Sequence, residues 1–402
     1  MPDGARSEKP LRVALDATPL LGRPTGIGAF CAGALAGLAE RPDLSVSAFA
    51  VSWRRRRSVE SLVPKGVRVR QRAMPARPLH WAWARAERPP LEWFIGPVDV
   101  VHGPNFVVPP TRRAARVMSV NDLTPVRFPE LCDGPTLAYP DLIRRGLRRG
   151  AWVHTLSAFV AAEVVDILGA DPERVRTVHL GVPPLPVPDA GAAARYRPPG
   201  TSRYVLAIGT AEPRKDLPNL VRAFDQVAAD RPDLALVLAG PDGWGTQALV
   251  GAVEQAAARA RIVRTGWLDD ATLSGLLHGA AVLAYPSVYE GFGFPPLQAM
   301  AAGVPVVASR AGSLPEVLGD AARMVDVGDD SALAAALATV LDDAAVAADL
   351  VARGRVRAGQ FSWASCAAGL DALYREAHAA HSGHGDRGLG GRGPDTGHRE
   401  RR

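Results

Sequence analysis

Lysine and cysteine are the scarce residues of this 402-residue chain. Only Lys9, Lys65 and Lys215 supply ammonium groups, so arginine carries nearly all the positive charge behind the net +6. Cys31, Cys132 and Cys366 are too few and too scattered for a disulfide framework or a thiolate metal site, and reduced thiols are expected. No apolar run reaches the roughly 20 residues that a membrane-spanning helix needs. The opening residues, MPDGARSEKP, lack the apolar core of a secretion signal, so a cytoplasmic location is expected. No Asp-x-Asp motif occurs, and no bound metal is expected. Basic residues and aromatics form no recognisable nucleic-acid-binding motif.

What is present is an α/β pattern. Short apolar runs recur at 11–16, 46–51, 67–70, 98–102, 117–120, 152–156 and 175–179. A second series follows at 204–209, 234–240, 261–265, 281–285, 304–308 and 322–327. Helical periodicity lies between several of them, at 28–40 and 158–168, and later at 331–341 and 363–378. Ser157 and Gly169 read as the start and stop of the second helix. Such alternation argues for parallel sheets covered on both faces. The expected organisation is a loose stretch at 1–10, a Rossmann-like domain at 11–183 and a Pro/Ala/Gly-rich linker at 184–200. A second Rossmann-like domain at 201–360, a C-terminal helix at 361–378 and a disordered Gly/Arg-rich tail at 379–402 follow.

Residues 286–308, PSVYEGFGFPPLQAMAAGVPVVA, carry the most chemistry. Glu290 precedes Gly291 and Gly293, Pro295 and Pro296 open a helix, and 304–308 reads as the next strand. Glycines let backbone approach a ligand, and the helix start offers free N–H groups and a positive dipole end. A carboxylate beside an anion site suits a ligand with hydroxyls at one end and phosphates at the other, such as a sugar nucleotide. On spacing alone, a glycine-rich turn with a solvated glutamate fits equally well.

This stretch, followed by SLPEVLGDAA at 313–322, resembles the signature of the retaining glycosyltransferases of family 4, the glycosyl transferases group 1, and especially mannosyltransferase-like members. The resemblance implies the α/β GT-B architecture, two Rossmann-like domains facing each other across a deep cleft. It also implies an enzyme that retains anomeric configuration and needs no metal. The first domain would take the acceptor and the second the donor nucleotide. Glu290 would be catalytic, positioning donor-sugar hydroxyls, with Gly291, Phe292 and Gly293 binding donor. Gln298 stands where the usual pattern has a second glutamate, and would contact the ribose. In GTAEPRKD at 209–216, Lys215 falls on the diphosphate-binding lysine, Arg214 is a candidate second cation, and Thr210 replaces a common arginine. Trp267 and Leu268, after Gly266, match the base-binding loop.

On the other lip, Gly28 opens a helix suited to phosphate. Asp122, in Asn121-Asp122-Leu123-Thr124-Pro125, is taken as catalytic, and Asn121 and His102 are placed on the acceptor side. No resident cofactor is expected. The co-substrate would be a nucleotide-diphosphate sugar, GDP-mannose favoured and a UDP-sugar open, and the acceptor a glycan or lipid-linked saccharide in cell-surface synthesis. Thr210, Gln298 and Asn121 keep open a catalytically weak relative that binds nucleotide or a partner as a regulatory subunit. Separately, four arginines follow Trp53 at 54–57, and HWAWARAERPPLEWF at 80–94 adds three tryptophans to further arginines. Such a mixture fits either a surface for anionic lipid, on the inner face of the plasma membrane, or a packed helix with solvated arginines.

Overall fold

The computed structural model describes residues 9–22 and 25–387. Strands β1 (Leu11–Asp16), β2 (Leu44–Phe49), β3 (Arg68–Arg70), β4 (Val100–Gly103), β5 (Ala115–Val120), β6 (Trp152–Thr155) and β7 (Val175–Thr177) form one sheet. Its order is β3-β2-β1-β4-β5-β6-β7. The second sheet holds β8 (Arg203–Ile208), β9 (Leu234–Ala239), β10 (Ile262–Gly266), β11 (Val282–Tyr285), β12 (Val306–Ser309) and β13 (Arg323–Val325), in the order β10-β9-β8-β11-β12-β13. All pairings are parallel. Every apolar run in the sequence becomes a strand, with small shifts at the ends. Helices on both faces explain why a strand such as Leu234–Ala239 is buried throughout instead of alternating.

In each sheet the strand order reverses once, between β1 and β4 and between β8 and β11. The loops leaving those neighbouring strands diverge, which opens a crevice at their carboxyl ends. The sequence motifs lie there: Gly209–Asp216 follows β8, and the Glu290 loop follows β11.

Helix Ala158–Leu168 begins as its residues predict, with the Ser157 side chain accepting the Val160 N–H and Gly169 left-handed at its end. The C-terminal helix, Trp363–Arg387, returns to the first domain and packs on helix Gly26–Ala39. A Cβ on Gly33 would lie 2.2 Å from the Trp363 ring, so a side chain there is sterically excluded. Arg41 pairs with Asp371 at 2.7 Å across the same contact.

One expectation about the chain's organisation changes. The tail assigned to disorder from 379 is helical through Arg387, continuing the C-terminal helix; the remainder, 388–402, lies outside the described residues. The linker stretch 184–200 contains helix Ala192–Tyr196, whose Ala192 is buried, and Asp189 N–H donates to the Ala271 carbonyl at 3.0 Å. The loose N-terminal stretch falls mainly on 1–8, outside the described residues.

Candidate functional site

Lys215 and Glu290 leave the strands that flank the switch point, β8 and β11, and meet between them. Lys215 Nζ donates to Glu290 Oε1 at 2.7 Å and to Tyr285 Oη at 2.7 Å. Arg214 Nη1 lies 2.8 Å from Glu290 Oε2 and donates to the Tyr289 carbonyl at 3.0 Å. Glu212 holds the other side of the guanidinium at 3.3 Å. Glu290 is only 6% exposed. Burial pushes its carboxyl upward, but Arg214 and Lys215 outweigh burial and hold it at about 2, so it is ionised. Burial pulls the Lys215 ammonium below its ordinary range, with Glu290 opposing. For Arg214, burial pulls down while Glu290, Asp122 and Glu212 together push the guanidinium higher still.

The backbone beside Glu290 is tied from behind. Ser313 N–H donates to the Glu290 carbonyl at 2.9 Å, Ser157 Oγ to that of Gly291 at 3.0 Å, and Ser313 Oγ to that of Phe292 at 3.3 Å. The N–H groups of residues 291–293 find no partner among the described residues. Gly293, with φ 109°, then starts helix Phe294–Ala302, which has Pro295 in its first turn. Free amides at a helix start next to a lysine form an anion site.

Asp122 joins from the first domain. A Cβ on Gly291 would stand 1.8 Å from the Asn121 carbonyl oxygen and 3.0 Å from Asp122 Cβ, so this approach of the two lips requires glycine. Asp122 accepts the Thr124 N–H at 3.0 Å. Glu290, Lys215, Arg214, Asp122, Gly291 and Gly293 are therefore brought together.

Other candidates sit elsewhere or act differently. His102 is fully buried, not on the acceptor side. Its Nδ1 meets Tyr374 Oη at 2.7 Å and its Nε2 meets Ser119 Oγ at 2.8 Å. The Asn121 side chain donates to the Pro104 carbonyl at 3.2 Å, so it braces the loop rather than facing an acceptor. Phe292 packs its ring among Phe294, Phe361 and His179, which leaves only its backbone for a donor. The Gly28 N–H, expected to meet phosphate, is taken by Thr25 Oγ1 at 3.1 Å. Gln298 is half-buried on helix Phe294–Ala302, Trp267 is half exposed, and Leu268 packs on the core.

Several contacts had no distinct signal in the sequence. Tyr289 Oη accepts the Leu123 N–H at 3.1 Å and donates to buried Glu163, which also holds Arg127 at 2.7 Å. Glu316 accepts the N–H groups of Ala158 and Phe159, each at 2.9 Å, and meets His179 at 2.8 Å. Trp244 Nε1 donates to the Leu131 carbonyl at 2.8 Å. Apart from the Glu163–Arg127 pair, which lies within the first domain, these bonds cross the cleft. Tyr289 lies inside the YEGFG stretch, but its partner Glu163 reads only as one of two acidic residues on a largely apolar helix.

The sequence profile of the glycosyl transferases group 1 matches residues 192–357. O-antigen chain mannosyltransferase B of Escherichia coli is 33% identical over 274 residues, covering 66% of this chain and 71% of that protein. The chain belongs to the group 1 glycosyltransferases. A second relative of this glycosyltransferase, the MMP alpha-(1->4)-mannosyltransferase of Mycolicibacterium hassiacum, is 34% identical over 248 residues, 60% of this chain and 58% of that protein. Among solved structures, sucrose-phosphate synthase from Thermosynechococcus elongatus superposes with TM-score 0.72 at 21% identity, covering 92% of this chain and all of the other. Anabaena HepE, solved with UDP and glucose, gives 0.67 at 16% identity, covering 91% and all of the other. The group 1 glycosyltransferase thus has the GT-B fold expected from its sequence.

Proposed function

We propose that this glycosyltransferase moves a mannosyl group from GDP-mannose to a glycan or lipid-linked saccharide in cell-surface glycan synthesis, with retention at the anomeric carbon and no metal requirement. The observation that carries it is the junction of Lys215, Arg214 and Glu290 beside the free amides of 291–293, facing Asp122. The named mannosyltransferase relatives support the sugar.

In the transfer, the bond from the anomeric carbon to phosphate oxygen breaks with its electron pair on the diphosphate, while the acceptor oxygen bonds to that carbon and passes its proton to the departing phosphate oxygen. Lys215 and Arg214 are the cations placed to meet the departing charge. One preorganised donor of this kind contributes roughly 3–4 kcal/mol, or about 10²–10³ in rate. Glu290 accepts hydroxyl hydrogen bonds from the sugar and holds the anomeric carbon toward the acceptor. Asp122 is the carboxylate on the acceptor lip, placed to orient the incoming hydroxyl.

Thermal unfolding with GDP, UDP, ADP and dTDP, each with EDTA or Mg²⁺, tests the donor. A diphosphate at 100 times its Kd stabilises by roughly 2.7 kcal/mol. A GDP-selective shift that survives EDTA and disappears in Lys215→Ala is expected. A UDP-selective shift would reject the donor, and no shift at all would reject the site. Transfer from labelled GDP-mannose, with the product anomer read by NMR, checks sugar and stereochemistry. Binding without turnover would favour a nucleotide-binding subunit instead.

A further inference from the structure

The first domain carries a surface that donor chemistry does not use. Trp53, Trp81 and Trp93 are 60%, 60% and 63% exposed, although indole rings are usually well covered. The three lie on elements that are bonded together at the β3 edge of the first sheet. Met74 N–H donates to the Ser52 carbonyl at 3.3 Å, and Arg72 Nη1 to the Trp93 carbonyl at 2.7 Å. Helix Ala76–Ala86 is anchored beneath by Leu79 and Trp83, in the same apolar cluster as Val51, Met74, Leu91 and Ile95. On its outer side Arg77, Trp81 and Arg85 recur at four-residue spacing and so share one face, all exposed. The Arg85 guanidinium lies 4.5 Å from the centre of the Trp81 ring.

Charge is concentrated on the same segment. Residues 53–93 hold eleven Lys and Arg against three Glu, an excess above the whole chain's +6, so the rest of the molecule is slightly acidic. Two of those glutamates are already occupied. Glu87 pairs with Arg116 and Arg145, and Glu92 accepts the backbone N–H groups of residues 112–114. By contrast, Arg54, Arg55, Arg57, Arg72, Arg77 and Arg85 form no ion pair among the described residues.

We propose that this face docks the protein on an anionic lipid bilayer, with Trp53, Trp81 and Trp93 in the headgroup layer and the surrounding arginines on lipid phosphates. Indole rings favour the membrane–water interface because one end is apolar and the other donates a hydrogen bond. Each arginine near an anionic surface strengthens partitioning roughly fivefold. No single helix among the described residues is long and apolar enough to cross a membrane. A nucleic acid also takes arginine and indole, but single strands are held by stacking along a basic groove. Here the rings project from three separate elements, which suits insertion into a soft layer. The surface does not include the Lys215–Glu290 site and stands independently of the donor assignment.

The full chain is sedimented with vesicles of phosphatidylcholine, alone or mixed with phosphatidylglycerol, at low and high salt, with tryptophan emission read in parallel. Binding about tenfold stronger to the anionic vesicles, weakened by salt and accompanied by a blue shift, is expected. The triple variant Trp53→Ser, Trp81→Ser, Trp93→Ser should lose the blue shift and about tenfold in affinity at an unchanged melting temperature, because its rings are exposed. Replacing Arg54, Arg55 and Arg57 by Ser should remove the preference for anionic lipid. No binding, equal binding to both vesicles, or an unaffected triple variant would overturn the proposal. If the triple variant melts lower, quenching of the native protein's emission by brominated lipid decides, and unquenched emission overturns it. Tighter binding of a single-stranded oligonucleotide than of anionic vesicles at matched salt also overturns it.

Discussion

Replacing Glu290 by glutamine should move stability, nucleotide affinity and transfer in different directions. The side chain keeps its shape but loses its charge. Arg214 retains Glu212 at 3.3 Å, whereas Lys215 loses its carboxylate and keeps only the Tyr285 hydroxyl. Breaking a buried pair costs about 3–5 kcal/mol. With one of the two cations still paired, the lower end applies, about 3 kcal/mol. At roughly 2–4 °C per kcal/mol for a domain of this size, the ligand-free protein should melt about 10 °C lower.

A bound diphosphate experiences the opposite effect. In the native protein its oxygens approach cations that already neutralise Glu290, and a carboxylate about 5 Å away repels a unit negative charge by roughly 3 kcal/mol at an effective dielectric of 20. Solvent screens part of this, so Glu290→Gln should bind GDP about tenfold more tightly and recover much of its lost melting temperature. Transfer should nonetheless fall at least 10²-fold, because the amide no longer holds a sugar hydroxyl with a charge-assisted bond. Melting curves with and without GDP, isothermal titration and turnover of labelled donor read the three quantities. Weaker GDP binding by Glu290→Gln than by the native protein would refute the electrostatic reasoning.

Three further outcomes are expected. Tyr289→Phe removes the hydroxyl that links the Leu123 N–H to Glu163, which should cost about 1–3 kcal/mol in a denaturant melt and lower kcat with little change in donor affinity. A Cβ at Gly33 would overlap the Trp363 ring, so Gly33→Ala should displace the C-terminal helix and lose about 1–3 kcal/mol, visible as faster amide exchange in residues 363–377. Acid should act through histidine before it acts through Glu290: burial holds the His154 imidazole near 4, below its ordinary 6.5. Because the folded value is depressed, this group leaves stability intact above pH 6.5 and removes it as pH falls toward 4, about 3 kcal/mol in all. Glu290, held near 2, adds its own loss only below about 4.5. Melts at pH 7.5, 5.5 and 4.5 check the order, and a flat profile between the first two would contradict it.

The histidine pair shows why burial alone does not describe such a group. His154 Nε2 must donate to the Val178 carbonyl at 3.0 Å, so its Nδ1 accepts from Ser119 Oγ at 2.8 Å. Ser119 then accepts from His102 Nε2, and His102 Nδ1 accepts from Tyr374 Oη. Each hydrogen has one place, both rings are neutral, and an added proton would set two donors against each other.

The strands, their assignment to two parallel sheets, and the Glu290 and Lys215 turns were legible in the chain because each depends on local order. Apolar runs of strand length, a Ser157 cap with Gly169 at the other end, and glycines before a proline-led helix state their geometry within a few residues. The family signature did the rest, since its motifs occur in a set order. Whether a polar residue faced the cleft or the core was not legible. His102 ends a strand near the cleft, as Asp122 does, yet Tyr374, hundreds of residues later, covers it. The Gly28 amide looked free until the Thr25 side chain was placed. Tyr289, Glu163 and Glu316 acquired roles only when the two domains met, because a hydrogen bond across a cleft has partners that no spacing along the chain relates. Chain order alone determined which residues could carry charge and where the backbone turned; packing decided which charges paired and which amides stayed free.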